Sequence, residues 1–181
     1  VGMQGIAIAE RAYQKAVSYA RDRVQSRPVD GSMNTSAPII HHPDIKRMLM
    51  TMRAQTEGCR AMAIVAAAAY DASHHHADAA VRKQNAAFYE FMVPLVKGFS
   101  TEMSLDVASL GVQVHGGMGF IEETGAARYM RDARIAPIYE GTNGIQAIDL
   151  VMRKLPLGGG QSVFDYLVEL GNIAEDLRKS N

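Results

Sequence analysis

The sequence predicts an all-α protein, an antiparallel four-helix bundle with short extra helices, and three observations predict it. Apolar and small residues recur at spacings of three and four along several long stretches, the period of a helix face. Convincing two-residue alternation, internal repeats and low-complexity tracts are missing from the 181 residues. Segments rich in Pro, Gly, Ser and Asn separate the periodic stretches, and long helices joined by corners pack naturally up and down around one core.

Taken in order, Ile6, Ala9, Tyr13, Val17, Ala20 and Val24 mark one face of a first helix over residues 3–26, which must stop near Pro28. Residues 27–43 turn to Pro, Gly, Ser, Asn and Asp, too poor in apolar side chains to bury, and predict an exposed loop. Pro43 and Asp44 suit a helix start. Ile45, Met48, Met52, Cys59, Met62, Ala66 and Tyr70 then form the inward stripe of a second long helix, and Ala66 to Ala69 allow a neighbour to approach closely. A corner at residues 73–78 leads to a third helical region over 79–114, with Phe88, Met92, Phe99, Met103, Val107 and Leu110 inward. Pro94 must kink or divide it, because proline lacks the amide hydrogen of an interior turn. Shorter helices fit residues 122–134 and 143–154. Residues 155–161, with three successive glycines, read as a linker. Phe164, Leu167, Val168, Leu170, Ile173 and Leu177 give a final amphipathic helix. The division is therefore a bundle over 1–155, then a linker and the start of a C-terminal helical extension over 156–181.

Composition narrows the function. Nineteen Lys plus Arg balance nineteen Asp plus Glu, so no general field draws in nucleic acid or an anionic membrane, and an anionic ligand must be held by local groups. The single cysteine, Cys59, allows no internal disulfide and suits a reducing, cytoplasmic compartment. Its place in a helical apolar pattern reads as packing. Nothing approaches the roughly 18 unbroken apolar residues of a membrane span, and no signal peptide pattern opens the chain. The first residue is Val1, already inside a helix-like pattern, which predicts that the sequence is part of a larger protein.

Two short runs carry the candidate chemistry. Y-E-G-T-N-G-I-Q, Tyr139 to Gln146, sets Glu140 between an aromatic ring and glycine-rich backbone just before an apolar helix, with Thr142 or Asn143 as N-cap. The helix start favours a carboxylate, whereas the apolar flank of Ile138 and Tyr139 raises its pKa by desolvation; the balance suits a general base. Taken alone, the plainer reading is an exposed or capping glutamate. The second run, Q-V-H-G-G-M-G-F from Gln113 to Phe120, offers Gly116, Gly117 and Gly119, glycines able to adopt positive φ and expose amides to a phosphate or flavin. On its own it equally ends a helix, and no strand precedes it as a dinucleotide fingerprint requires. His74, His75 and His76 do not all face one point, and no spaced His or Cys completes a metal set, so no metal is expected. His41 and His42 belong to the loop exit, where His42 can touch a ligand reaching that corner. The Glu-x-x-His pattern of di-iron bundles is missing, and the eleven methionines fall mostly on inward stripes.

Together, G-V-Q-V-H-G-G-M-G-F-I-E-E-T-G followed by Y-M-R-D-A-R-I-A-P-I-Y-E-G-T-N-G-I-Q strongly resembles the C-terminal helical domain of the acyl-CoA dehydrogenases, over Ile6 to about Leu155. The resemblance implies that Glu140 is the base that removes the α-proton of an acyl-CoA thioester while the β-hydrogen leaves as hydride to flavin N5. It implies that Gly141 lies against substrate and that Thr142, Asn143 and Gly144 contact FAD. Gln113, Val114, His115, Gly116 and Gly117 would bind the adenine and pyrophosphate end of an FAD held mainly by a neighbouring subunit, in a homodimer or tetramer. Arg23 matches a pyrophosphate-binding arginine, a role suited to a guanidinium fork. The usual Phe-Gly after it is replaced here by Ser26 and Arg27, and the following loop is longer. That loop and H-P-D-I-K-R-M-L are similar to the larger branch that includes methylthiopropanoyl-CoA dehydrogenases. Electron-transferring flavoprotein is the acceptor the resemblance implies. The family's N-terminal helical domain and β-barrel are not in this sequence, so the piece alone is expected to bind FAD poorly and not to turn over. An acyl-CoA oxidase and a non-catalytic helical oligomerisation module remain the alternatives.

Overall fold

The computed structural model describes residues 1–180. Three long helices form the frame: α1 (Gly2–Asp22), α2 (Pro43–His75) and α3 (Ala79–His115). Shorter pieces follow: α4 (Gly117–Phe120), α5 (Ala126–Ile135), α6 (Asn143–Asp149) continued by a π-helical turn at Leu150–Lys154, and α7 (Gln161–Lys179). Among the described residues the only β pairing is an isolated bridge between Val24 and Pro38, and no helix is long and apolar enough to cross a membrane. The expected all-α bundle is what forms.

Residue pairs fix the directions. Gly2 lies against Val96, Gly5 against Ser100 and Ala12 against Gly111, so α1 and α3 run parallel. Met52 also meets Gly111, whereas Tyr70 near the other end of α2 packs on Tyr89, so α2 runs antiparallel to both. The chain enters α5 with Gly125 beside Lys15 and leaves it with the Tyr139 hydroxyl bonded to Gln4, opposite in direction to α1. Up, down, up, down results. The shared core is small side chains of α1 (Ala9, Ala12, Ala16, Ala20) against Met48, Met52 and Cys59 of α2, Met103, Val107 and Val114 of α3, and Ala133 of α5. The alanine face draws the helices close, and methionine fills what remains. Cys59 is buried, and burial pushes its thiol pKa up, as packing predicts and a nucleophile would not.

Several expectations need correction. The first helix stops at Asp22, not residue 26, because the chain after it turns extended: Gln25 N–H donates to Ala37 O, Ala37 N–H to Ser26 O and Ile39 N–H to Arg23 O. Residues 29–36 are exposed as expected, but that pairing draws the two ends of the loop inward, so Pro28, Ala37 and Ile39 are buried. Pro94 does not divide the third helix, which runs unbroken from Ala79 to His115 with Pro94 buried inside it. The 122–134 helix is two pieces, a 3-10 turn at Glu122–Thr124 and α5, hinged at Gly125 with φ 74°. Val24, Tyr70 and Phe99, expected inward, are exposed. The final helix packs through Val163 and Tyr166, the latter on Phe88 and Phe91, while Phe164, Leu167 and Leu170 stay exposed.

Candidate functional site

The predicted site residues gather in two places, at opposite ends of α5. The first is a cleft of about 720 Å³ where α1 ends and α3 ends; Arg23, Gln113, Val114, His115, Gly116 and Gly117 all line it, with Tyr19, Ser26 and His42. Arg23 stands at the C-cap of α1, held there because its carbonyl accepts from Ile39 N–H at 2.8 Å. His42 donates from Nε2 to Gln25 O at 2.8 Å, tying the two sides of the loop together. His115 is buried, stacked on Tyr19 with ring centroids 4.4 Å apart, and its Nδ1–H donates to Gly111 O at 2.7 Å. Burial pushes its pKa down; the Gly111 bond opposes this and nearby Lys15 adds to it.

Of the three glycines, only Gly116 takes positive φ, 60°, and it ends α3. Gly117 begins α4 instead. Gly119 has a different reason to be glycine: a Cβ there would lie 2.3 Å from Val112 O. The cleft thus offers a guanidinium, an imidazole, a glutamine amide and open glycine backbone. That donor set fits the phosphate and ring system of a dinucleotide, and Arg23, Gln113 and the backbone at Gly116 and Gly117 are the groups that would hold it.

The second place is the loop from Pro137 to Asn143. Thr142 is the N-cap of α6, its hydroxyl accepting from Ile145 N–H at 3.4 Å. Asn143 N–H closes the loop onto Pro137 O at 3.0 Å. Glu140 and Gly141 both sit in left-handed backbone, φ 55° and 83°; for a residue with a Cβ this is uncommon and gathers at functional sites. Glu140 is exposed, as is Ile138, so the dry surroundings expected from the apolar flank are not formed by this chain. Gly144 is exposed beside Thr142. Asn143 spends its side chain on α3, where its amide donates to Thr101 Oγ1 and Glu102 Oε1, each at 2.9 Å, and to Gly98 O at 3.2 Å.

Lys97 was not among the expected residues. It is 7% exposed, and its ammonium donates to Gly141 O at 2.7 Å and Asn143 Oδ1 at 2.9 Å. The sequence does carry a signal for it: Lys97, Ser100, Thr101 and Ser104 form a polar row at helical spacing on the buried face of α3. At the other corner, His74 bonds Tyr70 O and His75 ends α2, and no three His, Cys, Asp or Glu side chains cluster as a metal site among the described residues.

Comparison with known proteins gives a consistent set of likenesses. Residues 1–155 match the family model for the acyl-CoA dehydrogenase C-terminal domain. The chain is 62% identical over 162 residues to 3-methylmercaptopropionyl-CoA dehydrogenase of Ruegeria pomeroyi, covering 90% of this chain and 27% of that protein. In structure it is similar to butyryl-CoA dehydrogenase of Megasphaera elsdenii, with TM-score 0.60 and 28% identity over 82% of this chain and 33% of that one. It also superposes on Caenorhabditis elegans ACDH-11 in complex with C11-CoA, at TM-score 0.77 over 99% of this chain and 29% of the other; at 22% identity this is a likeness of fold. The chain spans little more than a quarter of the length of the Ruegeria relative.

Proposed function

The chain belongs to the acyl-CoA dehydrogenase family, whose C-terminal domain it matches, and on that premise we propose that it carries the general base of an FAD-dependent acyl-CoA dehydrogenase, Glu140. The reaction is α,β-dehydrogenation of an acyl-CoA thioester to the trans-2-enoyl-CoA. FAD, when bound, supplies the hydride-accepting chemistry for the β-hydrogen. Glu140 takes the α-proton, and Gly141 brings backbone against the thioester. Arg23, Gln113, Val114, His115, Gly116 and Gly117 hold the adenine and pyrophosphate end of the cofactor, and Thr142, Asn143 and Gly144 lie by its other end.

The observation that carries this reading is the loop itself: a carboxylate in left-handed backbone, followed by a left-handed glycine and a capped helix, in a chain 62% identical to a dehydrogenase of this family. An α-C–H is a feeble acid, so its base must be held in place before it meets the substrate. Glu140 is exposed in this chain, and the water-free pocket the reaction needs is supplied on this reading by the bound thioester and the rest of the protein. The 181-residue piece alone is therefore expected to retain little FAD and not to turn over. Because one group of cofactor residues lies beside Lys97 and the other at His115, about 27 Å apart along α3 at 1.5 Å per residue, the reading includes a homodimer or tetramer in which one subunit completes the site of another. It also includes electron-transferring flavoprotein as acceptor, a cytoplasmic location, and a linker with an added helix over 156–181, where Gly158, Gly159 and Gly160 all take positive φ.

The test is Glu140→Gln in the full-length protein, with 3-methylmercaptopropionyl-CoA and butyryl-CoA as first substrates. Flavin bleaching by acyl-CoA should disappear while FAD stays bound. Bleaching at the unmutated rate would remove Glu140 from the role of base.

A further inference from the structure

We propose that Lys97 is the positioning residue of the base, fastening the Glu140 loop to α3 so that its carboxylate meets the substrate in one orientation. The inference rests on the reading of Glu140 as the base. A lysine is among the residues least often fully buried, and one placed so without a paired function is rare. Here two of its three donors are spent on the loop, on the carbonyl of Gly141 at 2.7 Å and on Asn143 Oδ1 at 2.9 Å. Burial pulls the Lys97 pKa down, and Glu102 opposes that by favouring the ammonium. Asn143 is clamped in turn by Thr101, Glu102 and Gly98. The segment after Glu140 is thus stapled on both sides of Thr142 to one stretch of α3.

The staple answers a question the loop poses. Two successive left-handed residues, Glu140 and Gly141, persist only where the surroundings over-determine them. With an apolar side chain at position 97 the Gly141 carbonyl and Asn143 Oδ1 would lose their strongest partner, a charge-assisted donor. The loop would then sample other backbone conformations, and Glu140 would spend less time within reach of the α-carbon. Lys97 touches neither the reacting atoms nor, on this reading, the cofactor; it acts through the loop.

The full-length, FAD-loaded protein tests this with Lys97→Met and with Thr101→Val, which keeps shape and removes the hydroxyl bonded to Asn143. In stopped flow with 3-methylmercaptopropionyl-CoA and butyryl-CoA, the bleaching rate constant per flavin-loaded site should fall about 10- to 100-fold in Lys97→Met, the scale of a misplaced reacting group. Thr101→Val should show a smaller fall, and the effect of α-deuterated substrate should grow in both. A purely structural role would lower the fraction of loaded sites and leave that rate constant unchanged, which overturns the proposal. Independently of turnover, amide hydrogen exchange over residues 139–143 should quicken about tenfold or more in both variants, with α2 unaffected. Unchanged exchange overturns the proposal too. Should Lys97→Met fail to fold, Thr101→Val decides alone on the same readings. Bleaching that survives Glu140→Gln sinks the reading of the base; bleaching lost in Glu140→Gln but normal in Lys97→Met sinks only the role of Lys97.

Discussion

His115 shows how one side chain couples the cleft around Arg23 to stability. Its ring is buried against Tyr19 with Nδ1–H on the Gly111 carbonyl, and burial lowers its pKa. Above imidazole's ordinary value of about 6.5 the ring is neutral folded and unfolded, so it adds no pH dependence. Below that value the unfolded chain binds the proton first, and folding stability falls as pH drops toward the lower folded-state pKa. Urea unfolding of the chain between pH 5 and 8 should therefore give a steeper loss below about 6.5 than His115→Gln gives, even though the variant, lacking the Tyr19 stack, is less stable throughout. Equal slopes would remove His115 as the source. Residue chemistry alone was a partial guide. Glu140 and the His115 to Gly117 turn were legible because their motif is local, while the burial of Lys97 was legible only as a polar row whose partner lies 44 positions on.

Elements obey the same division. The close contact of α1 with α3 is made at glycines: a Cβ on Gly5 would stand 2.7 Å from Ser100 O, a backbone atom of a packed helix that cannot step aside. Gly5→Ala should cost about 1–3 kcal/mol by overpacking. Gly58, exposed in the middle of α2, has nothing within 4 Å of such a Cβ, so Gly58→Ala should gain roughly 0.5–1 kcal/mol from restricted unfolded-state freedom. Denaturant midpoints of the two variants against the parent check both signs. Helix starts were readable in advance at Pro43 and at Asp78, which caps α3 by accepting from Ala80 N–H at 2.8 Å. The end of α1 was not, since Val24 continues the apolar period and leaves the helix only because Pro38, Ala37 and Ile39 return to pair with the chain. α3 likewise keeps Pro94 in an unbroken helix because its buried length is held on both sides by α1 and α2.

For the whole molecule, the cleft around Arg23 and the loop of Glu140 lie at opposite ends of α5, and Phe120, Ile148 and Met152 are exposed at 83%, 59% and 70%. Light scattering on the full-length protein should return a dimer or tetramer with FAD retained; a monomer that holds stoichiometric FAD would exclude a cofactor shared between subunits. The sequence by itself determined the helical class and the up-and-down order, and it singled out the two segments proposed as the site. Those follow from helical periodicity and from motifs whose parts are neighbours in the chain. Only the tertiary structure decided that the ends of the 27–43 loop fold inward at Pro28, Ala37 and Ile39, that Glu140 stands exposed at a loop fastened by Lys97, and that Asn143 faces α3. Each of these depends on groups far apart in sequence meeting across a packed interface, where desolvation and hydrogen-bond pairing are settled by the neighbour and not by the residue itself.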